Sequence, residues 1–534
     1  MVRIALAAIG AMVILTSVGV ISEGISFIGE IPDEGESHRF LRLALLGFAN
    51  LVFLSVLAMI AALYLWARMA RSLPDLKGWH LQMPKSEFCR ADATPEYHFS
   101  DYLKQEEKVF RELDAYIHHD WSGHATDAYN RYAPDSVSNP ENVSEHNWNR
   151  SRILQSPNPK GGVLLLHGLS DSPYSLRALG ERLHAEGYTV VWLRVPGHGT
   201  NPRALAEVTW QDWTSAVQVA VRGLRDLVPD ERPLVLAGYS NGGALSLNYV
   251  LTALEDSTLP SINSILLFSP MIGVNPLARI TRLYHAVGLI SQNEKSKWSS
   301  IFAEIDPYKF SSWPMNANVQ AWGVTREVEK KLAALEKSNR LHQLPPILAM
   351  QSVVDSTVVV PKLITVLFDR LKSEQSELFL FDVNRMDSLS NLLNLSFEVN
   401  VQSKLAREDR PFRLTLMGNK KPESDQLTIK SRVDGKWTEH AVEAMWPKGT
   451  VSLSHVAVPI PSEDPIYGAK SETGQYSLGT LSMRAEPSAL MIPNSLFIRC
   501  RHNPFYHLME NHAIRWLSQQ LETPTSNASG KIAP

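Results

Sequence analysis

From Gly161 onward the chain alternates short, wholly apolar runs with amphipathic stretches, and this rhythm limits the folds open to it more than any other feature. "GGVLLLHG", "YTVVWLRV", "RPLVLAGYS" and "INSILLFSP" each read as a strand buried on both faces, because an unbroken apolar run leaves no face for water. Helical patterns at about 174–186, 211–227 and 243–254 lie between them. Strands alternating with helices imply βαβ units and a parallel sheet with helices on both faces, an α/β class. The rhythm breaks over about 271–344 and resumes with "PPILAMQS" and "SELFLFDV". It breaks again near 387–410, before strand-like "FRLTLMGN" and "QLTIKSRV". A closing helix is expected over about 503–521, ahead of a polar tail at 525–534.

At 534 residues the chain exceeds a typical single domain, so one large domain with insertions or two domains is expected. With a formal net charge of −3 and acidic and basic residues nearly balanced, nothing suggests a nucleic-acid footprint, which would need a basic face or stripe, and no nucleic-acid partner is expected. Two cysteines, Cys89 and Cys500, make no disulfide framework and show no metal-ligand spacing. The N-terminal part is less ordinary. Charge-free runs at about 4–22 and 43–66 would span roughly 28 and 36 Å as helices, enough to cross a bilayer core. Residues 1–71 are therefore expected to form a membrane anchor of two transmembrane helices, with a cleavable signal peptide as the rival reading of the first. The loop between the runs is acidic, whereas Arg68, Arg71 and Lys77 follow the second. That pattern favours a multi-pass protein of the inner or plasma membrane with its large domain in the cytoplasm. Residues 72–150 read as a lead-in with one amphipathic helix near 101–119, and the main domain as 151–524.

The chemistry centres on "LAGYSNGG". Ser240 sits in a G-x-S-x-G pattern with a buried strand before it and a helix, "GALSLNYVLTAL", after it. A sharp turn there leaves no room for Cβ atoms beside the serine, which accounts for Gly238 and Gly242. The turn lifts the hydroxyl to a helix N-terminus, where the Asn241 amide can meet a developing oxyanion. An ordinary glycine-rich strand-to-helix turn is the competing reading of the same residues. An attacking hydroxyl needs a base, and the base needs an orienting acid. Asp355, just past the strand "ILAMQS", is the best placed acid, with Asp306 and Asp382 as rivals. Among His440, His455, His502, His507 and His512, His455 lies in a loop before a Pro-rich stretch and is the best placed base. A second oxyanion donor should come from "HGLSDSPYS", at the Leu169 amide, with His167 ordering that loop.

Taken together, "LLLHGLSDSPYSLRALGERL", "VPGHGT", "GYSNGG" and the Asp355 and His455 segments resemble the α/β-hydrolase superfamily over roughly 147–521. Within it the chain is similar to bacterial serine hydrolases of the monoacylglycerol lipase, lysophospholipase and carboxylesterase type, with a serine aminopeptidase S33-like domain. The resemblance implies Ser240 as nucleophile, Asp355 as acid, His455 as base, and Leu169 and Asn241 as oxyanion donors. It implies no cofactor and no metal. Two departures stand out: Asn241 occupies a position usually held by methionine in monoglyceride lipases, and about 100 residues separate Asp355 from His455. The implied reaction is hydrolysis of a carboxylic ester, lipid-like if the chain works at a bilayer, with 271–344 as a lid. Ile280, Leu283, Leu289, Ile290, Ile301 and Phe302 are the lid's candidate acyl contacts, with plain packing within the lid as the equal alternative. Hydrolysis of soluble short-chain esters or amides, or a silent membrane scaffold, are the alternatives.

Overall fold

The computed structural model describes residues 36–121, 127–273, 293–393, 410–469, 476–479 and 499–522, apart from positions 356, 359, 372 and 434. The chain divides into two compact units, Met1–Pro74 and Asp75–Pro534. In the first unit the described residues form one helix, α1 (Glu36–Ser72). Among the described residues no helix is long and apolar enough to cross a membrane. The expected two-span anchor, and with it the membrane localisation, is therefore withdrawn. The run at 43–66 lies within α1, which falls short of the requirements of a span. The helix that carries it is longer, and takes in Glu36, Arg39 and Arg42 at one end and Arg68 and Arg71 at the other. The first expected span, 4–22, lies outside the described residues, as do the polar tail, residues 274–292 of the lid and most of the insertion.

In the second unit a ten-stranded sheet forms the frame. Its strands are β1 (Arg152–Leu154), β2 (Gly162–Leu166), β3 (Thr189–Leu193), β4 (Leu234–Tyr239), β5 (Ser264–Phe268), β6 (Ile347–Ser352), β7 (Glu377–Phe381), β8 (Arg413–Asn419), β9 (Gln426–Val433) and β10 (Lys436–Met445). They lie side by side in the order β1-β3-β2-β4-β5-β6-β7-β8-β9-β10. From β3 to β8 every pairing is parallel, whereas β1 runs antiparallel to β3, and β8, β9 and β10 form an antiparallel meander.

The apolar runs become strands because both faces are covered. Leu164 and Leu166 of β2, with Leu234 and Leu236 of β4, join one core cluster. Their neighbours Val163, Leu165, Val235 and Ala237 join another. On the first side pack α4 (Trp210–Asp226), α5 (Asn241–Ala253) and α6 (Met315–Lys337), through residues such as Trp213, Leu247 and Val328. On the second pack α3 (Arg177–Ala185) and α7 (Tyr506–Glu522), through Leu179, Leu183, Met509 and Leu517. Each such side chain, fully buried, contributes roughly 1.5–3 kcal/mol of transfer free energy. A capping box starts α4: Thr209 Oγ1 accepts from the Asp212 amide, and Asp212 Oδ2 accepts from the Thr209 amide. A mostly parallel sheet of this order, with helices on both faces, is the α/β-hydrolase fold.

The lead-in segment is built into this unit. Its helix α2 (Phe99–Ala115) brings Phe99 and Tyr102 into the core, beside Phe88. Two carboxylates from the same segment hold Arg194, at the carboxyl end of β3. Arg194 Nε donates to Glu106 Oε2 at 3.0 Å, and Nη1 and Nη2 donate to the Glu87 carboxylate at 3.0 and 2.9 Å. All three side chains are buried, so this ion triad fastens residues 87–106 to the sheet.

Candidate active site

The chain leaves β2 for β3 on one side and then returns to place β4 on the other. Strand order reverses there, and in open α/β sheets the crevice outside the carboxyl ends at such a point is where ligands bind. Ser240 follows β4 at this crevice, and the loop 167–172 follows β2.

Ser240 has φ 52° and ψ −114°, in the left-handed region that a side chain rarely adopts. Its backbone is pinned on both sides. The amide donates to Phe268 O at 3.0 Å, while the carbonyl accepts from Gly243 and Met271 at 3.0 and 2.9 Å. The glycine two residues on is obligatory for a different reason. A Cβ on Gly242 would fall 1.9 Å from Leu166 O, so α5 can approach the end of β2 only if that position is bare. The elbow thus rests on a backbone-to-backbone contact between α5 and β2.

Three sequence-distant groups meet at the serine. His455 Nε2 is 3.0 Å from Ser240 Oγ, and His455 Nδ1 is 2.7 Å from Asp355 Oδ2. The Asp355 side chain is fully buried and that of His455 is 5 % exposed, so the pair is shielded from competing water. Asp355 stands just after β6, and its second oxygen, Oδ1, accepts from the Thr357 and Val358 amides at 2.8 and 3.0 Å. That turn leaves Oδ2 aimed at the imidazole. His455 opens a 3-10 turn, His455–Ala457, and its ring lies 5.3 Å from that of Tyr239. The Tyr239 hydroxyl also donates to His455 O at 3.5 Å.

The loop after β2 lies against the serine, since a Cβ on Gly168 would come 3.3 Å from Ser240 Cβ. Among the described residues, neither the Leu169 amide nor the Asn241 amide donates to any acceptor, and two free amides therefore flank Ser240 in the chain's two adjoining turns. His167 orders the loop. Its Nε2 accepts from the Val195 amide, which leaves the proton on Nδ1 to donate to Gly168 O. Burial, with His198 nearby, holds His167 well below the usual imidazole range, so it stays neutral. Burial likewise pushes the Asp171 carboxyl, in the same loop, up to about 6, partly offset by Lys309.

The other candidates lie elsewhere. Asp306 accepts from the Tyr467 hydroxyl at 2.5 Å, and Asp382 pairs with Arg385. His440 is on β10 and exposed. His502 bonds Tyr467 O, His507 pairs with Glu463 on the surface, and His512 bonds Glu377. Of the acyl contacts expected from the lid, Ile280, Leu283, Leu289 and Ile290 lie outside the described residues, and Ile301 is buried. Two features had no visible sign in the sequence. Ser170 and Ser269 share the left-handed backbone of Ser240, with φ 62° and 43°, at the ends of β2 and β5.

Residues 157–382 match the family model for serine aminopeptidase, S33, a stretch running from just before β2 to just past β7. It includes Ser240 and Asp355 and stops short of His455. A thermostable monoacylglycerol lipase of Bacillus sp. (strain H-257) is 36% identical over 86 residues, 16% of this chain and 33% of that protein. Phospholipase YtpA of Bacillus subtilis (strain 168) is 28% identical over 117 residues, 22% of this chain and 42% of that protein. The chain thus spans less than half the length of either curated relative. Among solved structures, the monoacylglycerol lipase of Paleococcus ferrophilus is similar at 18% identity and a TM-score of 0.33, covering 43% of this chain and 88% of that one.

Proposed function

We propose that the protein is a serine hydrolase that cleaves carboxylic esters, with lipid-like esters such as monoacylglycerols or lysophospholipids as its substrates. One observation carries the reading: the hydrogen-bonded chain from Asp355 through His455 to Ser240, with both links within hydrogen-bond reach and shielded from solvent. In this mechanism His455 Nε2 takes the Ser240 proton as Oγ attacks the ester carbonyl carbon. Asp355 fixes the tautomer through Nδ1–H and stabilises the imidazolium that forms. The Leu169 and Asn241 amides hold the oxyanion of the tetrahedral intermediate. Collapse expels the alcohol, protonated by His455, and leaves an acyl-Ser240 ester. Water, deprotonated by His455, then releases the carboxylic acid and restores the serine.

The substrate class draws on the relatives, a monoacylglycerol lipase and a phospholipase by name. It is tested with a series of p-nitrophenyl acyl esters and monoacylglycerols of increasing chain length. The lipid reading expects kcat/KM to rise with chain length, by about fourfold for each methylene buried. A flat profile, or activity on short chains alone, contradicts it and favours a soluble short-chain ester as substrate.

A further inference from the structure

A cavity of about 400 Å³ lies between the lead-in segment and the "VPGHGT" loop, and is lined by Phe110, Arg131, Tyr132, Asn149, Arg150 and Thr200 among others. None of these residues belongs to the catalytic group. Arg131 is only 2 % exposed, yet among the described residues its Nε and Nη1 have no hydrogen-bond partner. Its remaining nitrogen, Nη2, donates to Gly199 O at 3.3 Å. A buried guanidinium left this incompletely satisfied is costly, because desolvation of a charge is recovered only through partners. The Glu304 carboxylate nearby does not take up those donors; its oxygens accept from the Ser311 and Ser312 amides.

Two more buried polar atoms on the same walls are unpartnered, Asn149 Oδ1 and Thr200 Oγ1. Arg150 supplies a second cation, stacked 4.2 Å over the Phe110 ring and free of ion pairs among the described residues. The two acidic lining residues are exposed to solvent: Asp114 lies 3.4 Å from His118, and Glu141 Oε1 accepts from Asn147 at 2.8 Å. Guanidinium donors ask for an oxyanion. The Asn149 carbonyl asks for a donor, which a hydroxyl supplies. A cavity of this size suits a small organic molecule.

We propose that this cavity is a binding site for a small hydroxylated oxyanion, a phosphate monoester or hydroxycarboxylate, held by Arg131 and Arg150 and separate from the Ser240 site. Calorimetric titration of the full chain with glycerol 3-phosphate, glycerate and uncharged glycerol tests it and separates the two anion classes. Saturable binding of at least one anion is expected, with none for glycerol, and about a tenfold or greater loss of affinity in Arg131→Gln and in Arg150→Gln. Arg131 is buried and its replacement can unfold the protein, so circular dichroism accompanies each titration and Arg150→Gln, at a partly exposed position, decides if Arg131→Gln is not folded. No saturable binding of either anion, equal binding of glycerol, or unchanged affinity in a folded variant overturns the site.

Discussion

Ser240 holds its left-handed backbone at a cost in strain, of order 1–3 kcal/mol for a non-glycine residue in a sparsely populated region. Bonds to Phe268, Gly243 and Met271 over-determine the position and hold it there. Asp355 has the complementary task, since its two backbone donors fix one oxygen and leave the other for His455. Asp355→Asn keeps the Oδ1 bonds but offers His455 an amide in place of Oδ2, which stabilises the wrong tautomer. Its kcat is expected to fall about 10⁴-fold with little change in melting temperature, measured by steady-state kinetics beside thermal unfolding. Gly242→Ala should act through the fold instead. The clash is with backbone, which cannot rotate away, so a loss of at least ~2 kcal/mol in urea unfolding is expected, with activity falling in parallel. The serine elbow was legible because its signal is local, a strand, a turn and a helix in one stretch of sequence. Asp355 and His455 were legible more weakly, from their order and their place after strands. The left-handed angles at Ser170 and Ser269 were not legible, because neither position carries the glycine that usually marks such an angle.

At the scale of elements, the buried Arg194–Glu87–Glu106 triad decides whether residues 75–150 stay on the sheet. Removing one partner of a buried ion network leaves an uncompensated charge and costs about 3–5 kcal/mol. Arg194→Ala is accordingly expected to lower urea stability by that order and to open residues 75–150 to limited proteolysis before the rest of the unit. A result within experimental error of native stability would show that water satisfies the two carboxylates. Residues 72–150 read as a lead-in because their sequence holds the carboxylates but not the arginine, which lies in another element. Strand β1 escaped notice at three residues. Strand β10, "KWTEHAVEAM", shows no apolar run, because it pairs with β9 alone and most of its side chains are exposed. The central strands suffered neither difficulty, since burial on both faces writes an apolar run directly into the sequence.

Across the whole molecule, three buried imidazoles couple folding to pH. Burial, with Lys77 adding, holds His80 down at about 3, and burial holds His198 at about 4 and His167 well below its usual value. The unfolded chain binds these protons near pH 6.5 and the folded chain does not, so stability is full above that value and is lost as pH falls below it. Each imidazole contributes a slope of about 1.4 kcal/mol per pH unit in that window. His80→Gln should therefore flatten the decline in urea stability between about pH 6 and 4 by roughly that amount, while an unchanged slope would mean that His80 is protonated in the fold. The largest misreading of the sequence also belongs to this scale. A charge-free window near the N-terminus suggested a span, but the helix that contains it does not meet the requirements of one.

Whether Ser240 is an activated nucleophile is tested most directly by labelling the native protein with a fluorophosphonate and locating the adduct by mass spectrometry. This needs no knowledge of the substrate. Stoichiometric modification at Ser240 is expected, with loss of labelling in Ser240→Ala and at least about a hundredfold slower labelling in His455→Ala. Equal labelling of native protein and a folded Ser240→Ala variant, or no labelling of either, would contradict the account.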